Sequence, residues 1–322
     1  MNDKAILRVN NLKKYYHVTG GLIPKPVADI KAVDGVSFHI NQGEVLGLVG
    51  ESGCGKSTLG KTILRLEEPT EGEIIFCGDD IIGLSKRDLR RLRGKMQIVF
   101  QDPDASLDPR LTVGGSIEEA LIIQGMRNTS ERSEKVAWLL EKVGLEADFA
   151  ERYPHEFSGG QKQRIGIARA LAMEPRLIIA DEPVSALDVS VQAQILNLMM
   201  DIKDIDGLTY LFISHDLSVI KYVSDRIAVM YLGKIIELAA KSEFFANPLH
   251  PYSEALLSAV GQLTHKRKER IILKGDIPSP LNPPSGCRFH TRCHKLLPVC
   301  DHIEPELKEI APGHYAACHL YD

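Results

Sequence analysis

The 322 residues contain no apolar run that approaches the ~20 residues a membrane-spanning helix needs. The opening residues, Met1-Asn2-Asp3-Lys4, lack the apolar stretch of a secretory signal. A cytosolic location is expected, and anything moved across a membrane would need a pore supplied by other chains. Positive charge is not in excess. The formal net charge is −4, so a general nucleic-acid footprint is not expected. The locally basic stretch Arg87 to Lys95 reads as the solvated face of a helix. Internal repeats and low-complexity tracts are missing. There are only six cysteines, which in a reducing compartment serve as metal ligands or core residues before they serve as disulfides. The length suits one large or two moderate domains, each with its own core.

What is present is organised around Gly50-Glu51-Ser52-Gly53-Cys54-Gly55-Lys56-Ser57-Thr58. The stretch fits Gly-x4-Gly-Lys-[Ser/Thr]. The apolar run Val45 to Val49 precedes it, and helical spacing follows from Leu59 to Leu66. Strand, glycine loop and helix together make a phosphate-binding loop. Its glycines let backbone N–H groups converge on phosphate oxygens, and the helix N-terminus adds partial positive charge. Lys56 is expected on the β- and γ-phosphates of ATP and the Ser57 hydroxyl on Mg²⁺. The competing reading is a plain glycine-rich turn.

Leu177 to Ala180 is a buried-strand run that ends in Asp181-Glu182. A carboxylate in that place can hold Mg²⁺ through its water shell. Glu182, one residue on, can orient or deprotonate the attacking water. Alone, the pattern is equally a strand ending at an acidic turn. Ser158-Gly159-Gly160-Gln161 precedes a helical stretch from Lys162 to Ala172. It makes a second phosphate-binding surface, and it also reads as a capped helix start. One chain does not need two γ-phosphate sites, whereas a head-to-tail dimer does.

The remaining pattern alternates. Strands are predicted at Ile6 to Val9, Val33 to Ile40, Glu73 to Phe76, Met96 to Phe100 and Thr209 to Ile213. Gly20 to Asp29 reads as a loop. Leu111 to about Tyr153 reads as helical, with Trp138, Leu139, Leu140 and Val143 on its apolar side. Gln192 to Ile202 is a further helix. The succession predicts an α/β fold, a mostly parallel sheet covered by helices, with a helical insertion.

In this order the motifs resemble the nucleotide-binding subunits of ABC transporters over residues 5 to 240. Gly50 to Ser57 matches Walker A, Leu177 to Asp181 Walker B, and Ser158 to Gln161 the ABC signature, with Phe157 where leucine is commoner. Gln101 matches the Q-loop glutamine that touches Mg²⁺, Glu182 the catalytic glutamate, and Ser185-Ala186-Leu187-Asp188 the D-loop. His215 matches the switch histidine. Tyr16 matches the aromatic that stacks on adenine, with Tyr15 the adjacent alternative. The resemblance implies a P-loop NTPase with a RecA-like core over residues 1–240, a helical subdomain at about 102–172, and a small Cys/Pro-rich domain at 241–322. It implies a mechanism in which two ATP molecules are sandwiched between two such subunits, and closure pulls on membrane partners.

Asn247-Pro248-Leu249-His250-Pro251-Tyr252 and Pro280 to Cys287 are similar to the oligopeptide/dipeptide branch of ABC importers, and Phe157-Ser158-Gly159-Gly160-Gln161 to the F-type subunit of its two ATPases. The resemblance implies a second homologous ATPase, two transmembrane permease subunits, an extracytoplasmic solute-binding protein, and a peripheral position on the cytoplasmic face of the membrane. Di- and oligopeptides are the implied cargo. Nickel, glutathione or another small solute is the alternative cargo, because importers of these share the same branch. A soluble cassette acting on ribosomes or DNA is the rival class, and such proteins usually carry tandem cassettes or a long coiled coil. Cys287, Cys293, Cys300 and Cys318 can hold an iron–sulfur cluster or zinc. Their spacing is neither a zinc ribbon's nor the usual ferredoxin run. The resemblance favours [4Fe–4S], then Zn²⁺, then free or disulfide-linked thiols.

Overall fold

A computed structural model describes residues 4–20, 25–259, 271–273 and 275–322. The chain divides into two compact units, one of Met1–Gly83 with Ile213–Asp322, the other of Leu84–Phe212.

In the first unit β1 (Ala5–Gly20) and β2 (Lys25–Asn41) form a long antiparallel ribbon. The strand and loop predicted here are therefore mostly continuous strand, and the part of the predicted loop at 21–24 lies outside the described residues. Polar residues hold the ribbon and its neighbour across the strands: Lys13 pairs with Glu71 at 2.6 Å, His17 with Asp29 at 2.6 Å, and Asn10 bonds Glu73 at 2.6 Å. After β3 (Val45–Val49) and α1 (Lys56–Ile63), β4 (Glu71–Phe76) and β5 (Asp79–Asp80) complete a sheet of order β2-β1-β4-β5. All five residues of β3 are buried, as expected of a parallel strand covered on both faces.

The second unit begins with α2 (Lys86–Arg93), the basic helix expected from the sequence, and β6 (Met96–Val99). Next come α3 (Pro103–Ser106), α4 (Val113–Gln124), α5 (Thr129–Lys142) and α6 (Gly159–Leu171). The predicted helical stretch is thus two main helices and short 3₁₀ turns, interrupted at Gly125, which is left-handed at a helix end. Leu139, Leu140 and Val143 are buried as predicted, but Trp138 is 46% exposed. The Lys135 and Lys142 ammonium groups lie over its ring, 4.4 and 4.7 Å from the centroid. That cation–π contact lets a large ring stay at the surface. β7 (Leu177–Asp181) pairs in parallel with β6, and α7 (Val189–Asp206) follows.

The chain returns to the first unit along β8 (Thr209–Ser214). There α8 (Leu217–Val223), β9 (Arg226–Tyr231), β10 (Lys234–Ala240), α9 (Lys241–Ala246) and α10 (Pro251–Ala259) succeed one another. β9 runs parallel to β3 and antiparallel to β10. The C-terminal residues add β11 (Lys308–Ala311) and β12 (His314–Ala316), which the sequence pattern did not suggest. β12 pairs antiparallel with β10, placing Ala316 opposite Glu237.

Glu237 has no exposed surface and accepts from Leu249 N, His250 N and the His314 ring nitrogen, each at 2.8 Å. Beside it, the Nδ1 of buried His250 accepts from Tyr252 N at 3.0 Å. Burial lowers the His250 pKa to about 4, against about 6.5 in an unfolded chain. Between those values the unfolded chain binds a proton that the native chain refuses. Stability held by neutral His250 is therefore complete above about pH 6.5 and declines as pH falls toward about 4. Thermal melts should show wild type losing more stability between pH 7 and pH 5 than His250→Asn; equal losses would clear His250 of the effect.

Candidate functional site

The phosphate-loop residues lie between β3 and α1, in the setting predicted. Gly55 takes φ +107°, and a Cβ there would collide with the Ala32 carbonyl oxygen; a Cβ on Gly50 would collide with that of Met230. Only glycine serves at either position. Helix α1 has Gly55 at its N-cap with no side-chain cap and no acidic residue in its first turn, a setting that suits an anion. Lys56 is buried and folds back, donating to Gly50 O at 2.8 Å and Glu51 O at 3.2 Å. Ser57 and Thr58 begin the helix half-buried, Ser52 and Gly53 are exposed, and burial pushes the Cys54 thiol up.

Also in the first unit, His215 is exposed after β8. The two tyrosines of β1 differ in what they touch. The Tyr15 hydroxyl donates to Asp34, which also pairs with Arg288 and Lys234. Burial works against the Asp34 carboxylate, but the Tyr15 bond and the two cations hold it below the usual range. Tyr15 thus belongs to a structural network. Tyr16 donates to Glu67, and Lys14 lies 4.8 Å from its ring centroid.

In the second unit, Asp181 ends β7 buried, and Glu182 follows in the left-handed region at φ +50°. Its carbonyl accepts from Ser185 N at 3.2 Å and Ser185 Oγ at 3.1 Å. A non-glycine residue there carries strain of about 1–3 kcal/mol, a common mark of functional sites. Ser158 caps α6 reciprocally: Ser158 N donates to Gln161 Oε1 at 3.0 Å, and Ser158 Oγ accepts from Gln161 N. The capped-helix reading is therefore correct, and it leaves Ser158 and Gly159 exposed. A Cβ on Gly160 would press on Val191. Asp188 stands at the N-cap of α7 without capping it. Gln101 is exposed after β6. Its segment is tethered to α6 by residues that sequence reasoning missed: Gln163 Nε2 donates to Phe100 O at 3.3 Å, Lys162 pairs with Asp104 at 2.5 Å, and Arg169 donates to Ser106 O.

The four C-terminal cysteines are free thiols. Burial raises the pKa of Cys287 to about 12 and of Cys318 to about 11, and raises that of Cys293; neighbouring thiols of the set add to each shift. Three of them accept from the amide two residues on, Phe289 N to Cys287, Lys295 N to Cys293 at 3.4 Å and Leu320 N to Cys318. Among the described residues, however, no three His, Cys, Asp or Glu side chains form a group that could hold a metal ion. The expected [4Fe–4S] or zinc site on Cys287, Cys293, Cys300 and Cys318 is thus not supported by this arrangement, in which burial favours neutral thiols over thiolates. Nor, among these residues, is any helix long and apolar enough to cross a membrane.

The ABC transporter family profile matches residues 33–185, and that of the oligopeptide/dipeptide transporter C-terminal region matches 236–300. The oligopeptide transport ATP-binding protein AppF of Bacillus subtilis (strain 168) is 58% identical over 99% of this chain and 98% of its own. The chain belongs to this family. The dipeptide transport ATP-binding protein DppF of Haemophilus influenzae (strain ATCC 51907 / DSM 11121 / KW20 / Rd) is 52% identical to this ABC subunit, over 99% of it and 98% of the relative. Among solved structures, the ATP-binding cassette MJ0796, a dimer in a post-hydrolysis state bound to ADP and Pi, is 33% identical. It superposes with a TM-score of 0.65 over 73% of this subunit and 98% of the cassette. The fold is accordingly that of an ABC ATPase.

Proposed function

We propose that this subunit binds ATP with Mg²⁺ on its phosphate loop and hydrolyses it to energise import of di- and oligopeptides. The observation that carries the proposal is the loop itself: Gly50 and Gly55, where no side chain fits, set between a buried strand and a helix start without a side-chain cap. The full-length likeness to peptide-transport subunits supplies the cargo class. Lys56 would neutralise the β- and γ-phosphates. Ser57 and Gln101 would hold Mg²⁺, with Asp181 acting through its water shell. Glu182 would orient or deprotonate water, His215 would meet the γ-phosphate, and Tyr16 would stack on adenine. Ser158, Gly159, Gly160 and Gln161 would face the nucleotide of a second, homologous ATPase subunit, with Asp188 at the same junction. Two permease subunits and an extracytoplasmic solute-binding protein would complete the importer, with this chain on the cytoplasmic face of the membrane.

Purification of the tagged chain in mild detergent tests the assembly. Two permeases and a non-identical ATPase are expected to accompany it. Ribosomal or DNA-repair proteins in their place would overturn the transport reading. For the tail, we propose a soft-metal site on the four cysteines on the sequence resemblance alone; metal binding would have to draw the thiols together and deprotonate them from their buried, neutral arrangement. Iron and sulfide assays on anaerobically purified chain should detect a cluster. Zinc alone would select the alternative, and no metal at all would leave structural thiols.

A further inference from the structure

Glu51 is the one carboxylate in the phosphate loop, and all its polar groups are engaged. Its carbonyl accepts from Lys56 Nζ and, at 3.3 Å, from Cys54 N. Its N–H donates at 2.9 Å to the hydroxyl of Tyr252, which lies 201 positions away on α10. Its carboxylate accepts two bonds from the Arg292 guanidinium, at 2.6 and 3.1 Å, across 241 positions. The Arg292 side chain is only 7% exposed, and its Nε is buried without a partner among the described residues. Nη1 also reaches the Tyr231 hydroxyl at 3.4 Å. The rings of Tyr231, Tyr252 and Phe289 pack on one another with centroids 4.8–5.3 Å apart, a stiff base for both partners of Glu51. A buried donor is held in this way only where its geometry is determined by its surroundings.

We propose that Tyr252 and Arg292, both from the C-terminal extension, are positioning residues of the nucleotide site. Tyr252 fixes the entry of the loop through the Glu51 amide. Arg292 neutralises a carboxylate that would otherwise oppose the phosphates of the ligand. The extension therefore completes the phosphate loop as well as packing on the sheet. The inference rests on the nucleotide reading above.

Calorimetric titration of the full-length chain with ATP and with ADP, without magnesium so that no turnover occurs, tests it. Arg292→Ala is expected to weaken ATP about tenfold or more and ADP less, because the freed charge acts most on the more charged ligand. Placing Glu51→Gln in the same chain removes that charge and should restore most of the loss. A scaffold residue with no electrostatic task would give neither the ATP–ADP difference nor the rescue. Unchanged affinity in Arg292→Ala, or an equal loss in the Glu51→Gln background, would overturn the proposal. Should Arg292→Ala not fold, Tyr252→Phe carries the test. It leaves the Glu51 N–H without its acceptor and is expected to weaken ATP roughly threefold to tenfold; wild-type affinity there would also overturn it. A wild-type chain that does not bind ATP sinks the nucleotide reading first, before any variant is compared.

Discussion

Glu182→Gln should leave a subunit that binds ATP normally and scarcely turns it over. The substitution keeps the size and shape of the side chain. It also keeps the backbone at φ +50°, whose carbonyl is held by Ser185 N and Oγ. What it removes is a proton acceptor one residue beyond the strand end at Asp181. Loss of a general base costs on the order of 10²–10⁴ in rate, and the sequence of the phosphate loop is left unchanged. Phosphate release by the assembled transporter, with bound nucleotide counted in parallel, measures both halves of the expectation. Turnover within about threefold of wild type would refute the role given to Glu182. Loss of ATP binding would place Glu182 in the binding site rather than in the chemistry.

Glu237→Ala should be the most destabilising of the substitutions considered. The carboxylate is wholly buried and serves three donors from two separate segments of the extension. Removing it strands the N–H groups of Leu249 and His250 and the His314 ring in an interior without water. Buried unsatisfied groups cost about 1–3 kcal/mol each, and breaking a buried ionic arrangement costs about 3–5 kcal/mol. Since these costs overlap, the expected loss is on the order of 4 kcal/mol. Glu237→Gln keeps one acceptor oxygen and should recover part of it. Urea denaturation gives the magnitude, and limited proteolysis should show cleavage appearing first after Ala240. An alanine variant as stable and as resistant as wild type would mean that the extension docks by other means.

The nucleotide motifs were legible because their chemistry is local. Gly50, Gly55 and Lys56 act within a few residues of one another, and the apolar runs at Val45–Val49 and Leu177–Ala180 are strands with almost the predicted limits. The capping role of Ser158 was readable for the same reason. What could not be read depends on distant partners. Arg292 sits among cysteines and histidines whose chemistry draws the eye, and nothing near it points to Glu51. Glu237 reads as one polar residue in an apolar strand until the Leu249-His250 segment ahead of α10, and β12, bring its donors. The long ribbon of β1 and β2 was under-read because the glycines and prolines between 20 and 29 mark a loop by composition, whereas Lys25 to Asp29 already run as β2, with Asp29 paired across to His17. Trp138 was placed in the core by its helical spacing, which cannot register two lysines closing over a surface ring.

That tryptophan is the chain's sole indole. Its emission consequently comes from one place, the outer surface of α5 in the second unit, with lysine ammonium groups lying over the ring. A change in tryptophan emission on adding nucleotide or a partner subunit reports on that helix and on the neighbouring residues that line the same hollow, among them Leu171, Glu174 and Asp206. The protein thus carries a built-in optical probe of its helical unit, usable without labels and separable from any signal placed on the phosphate loop.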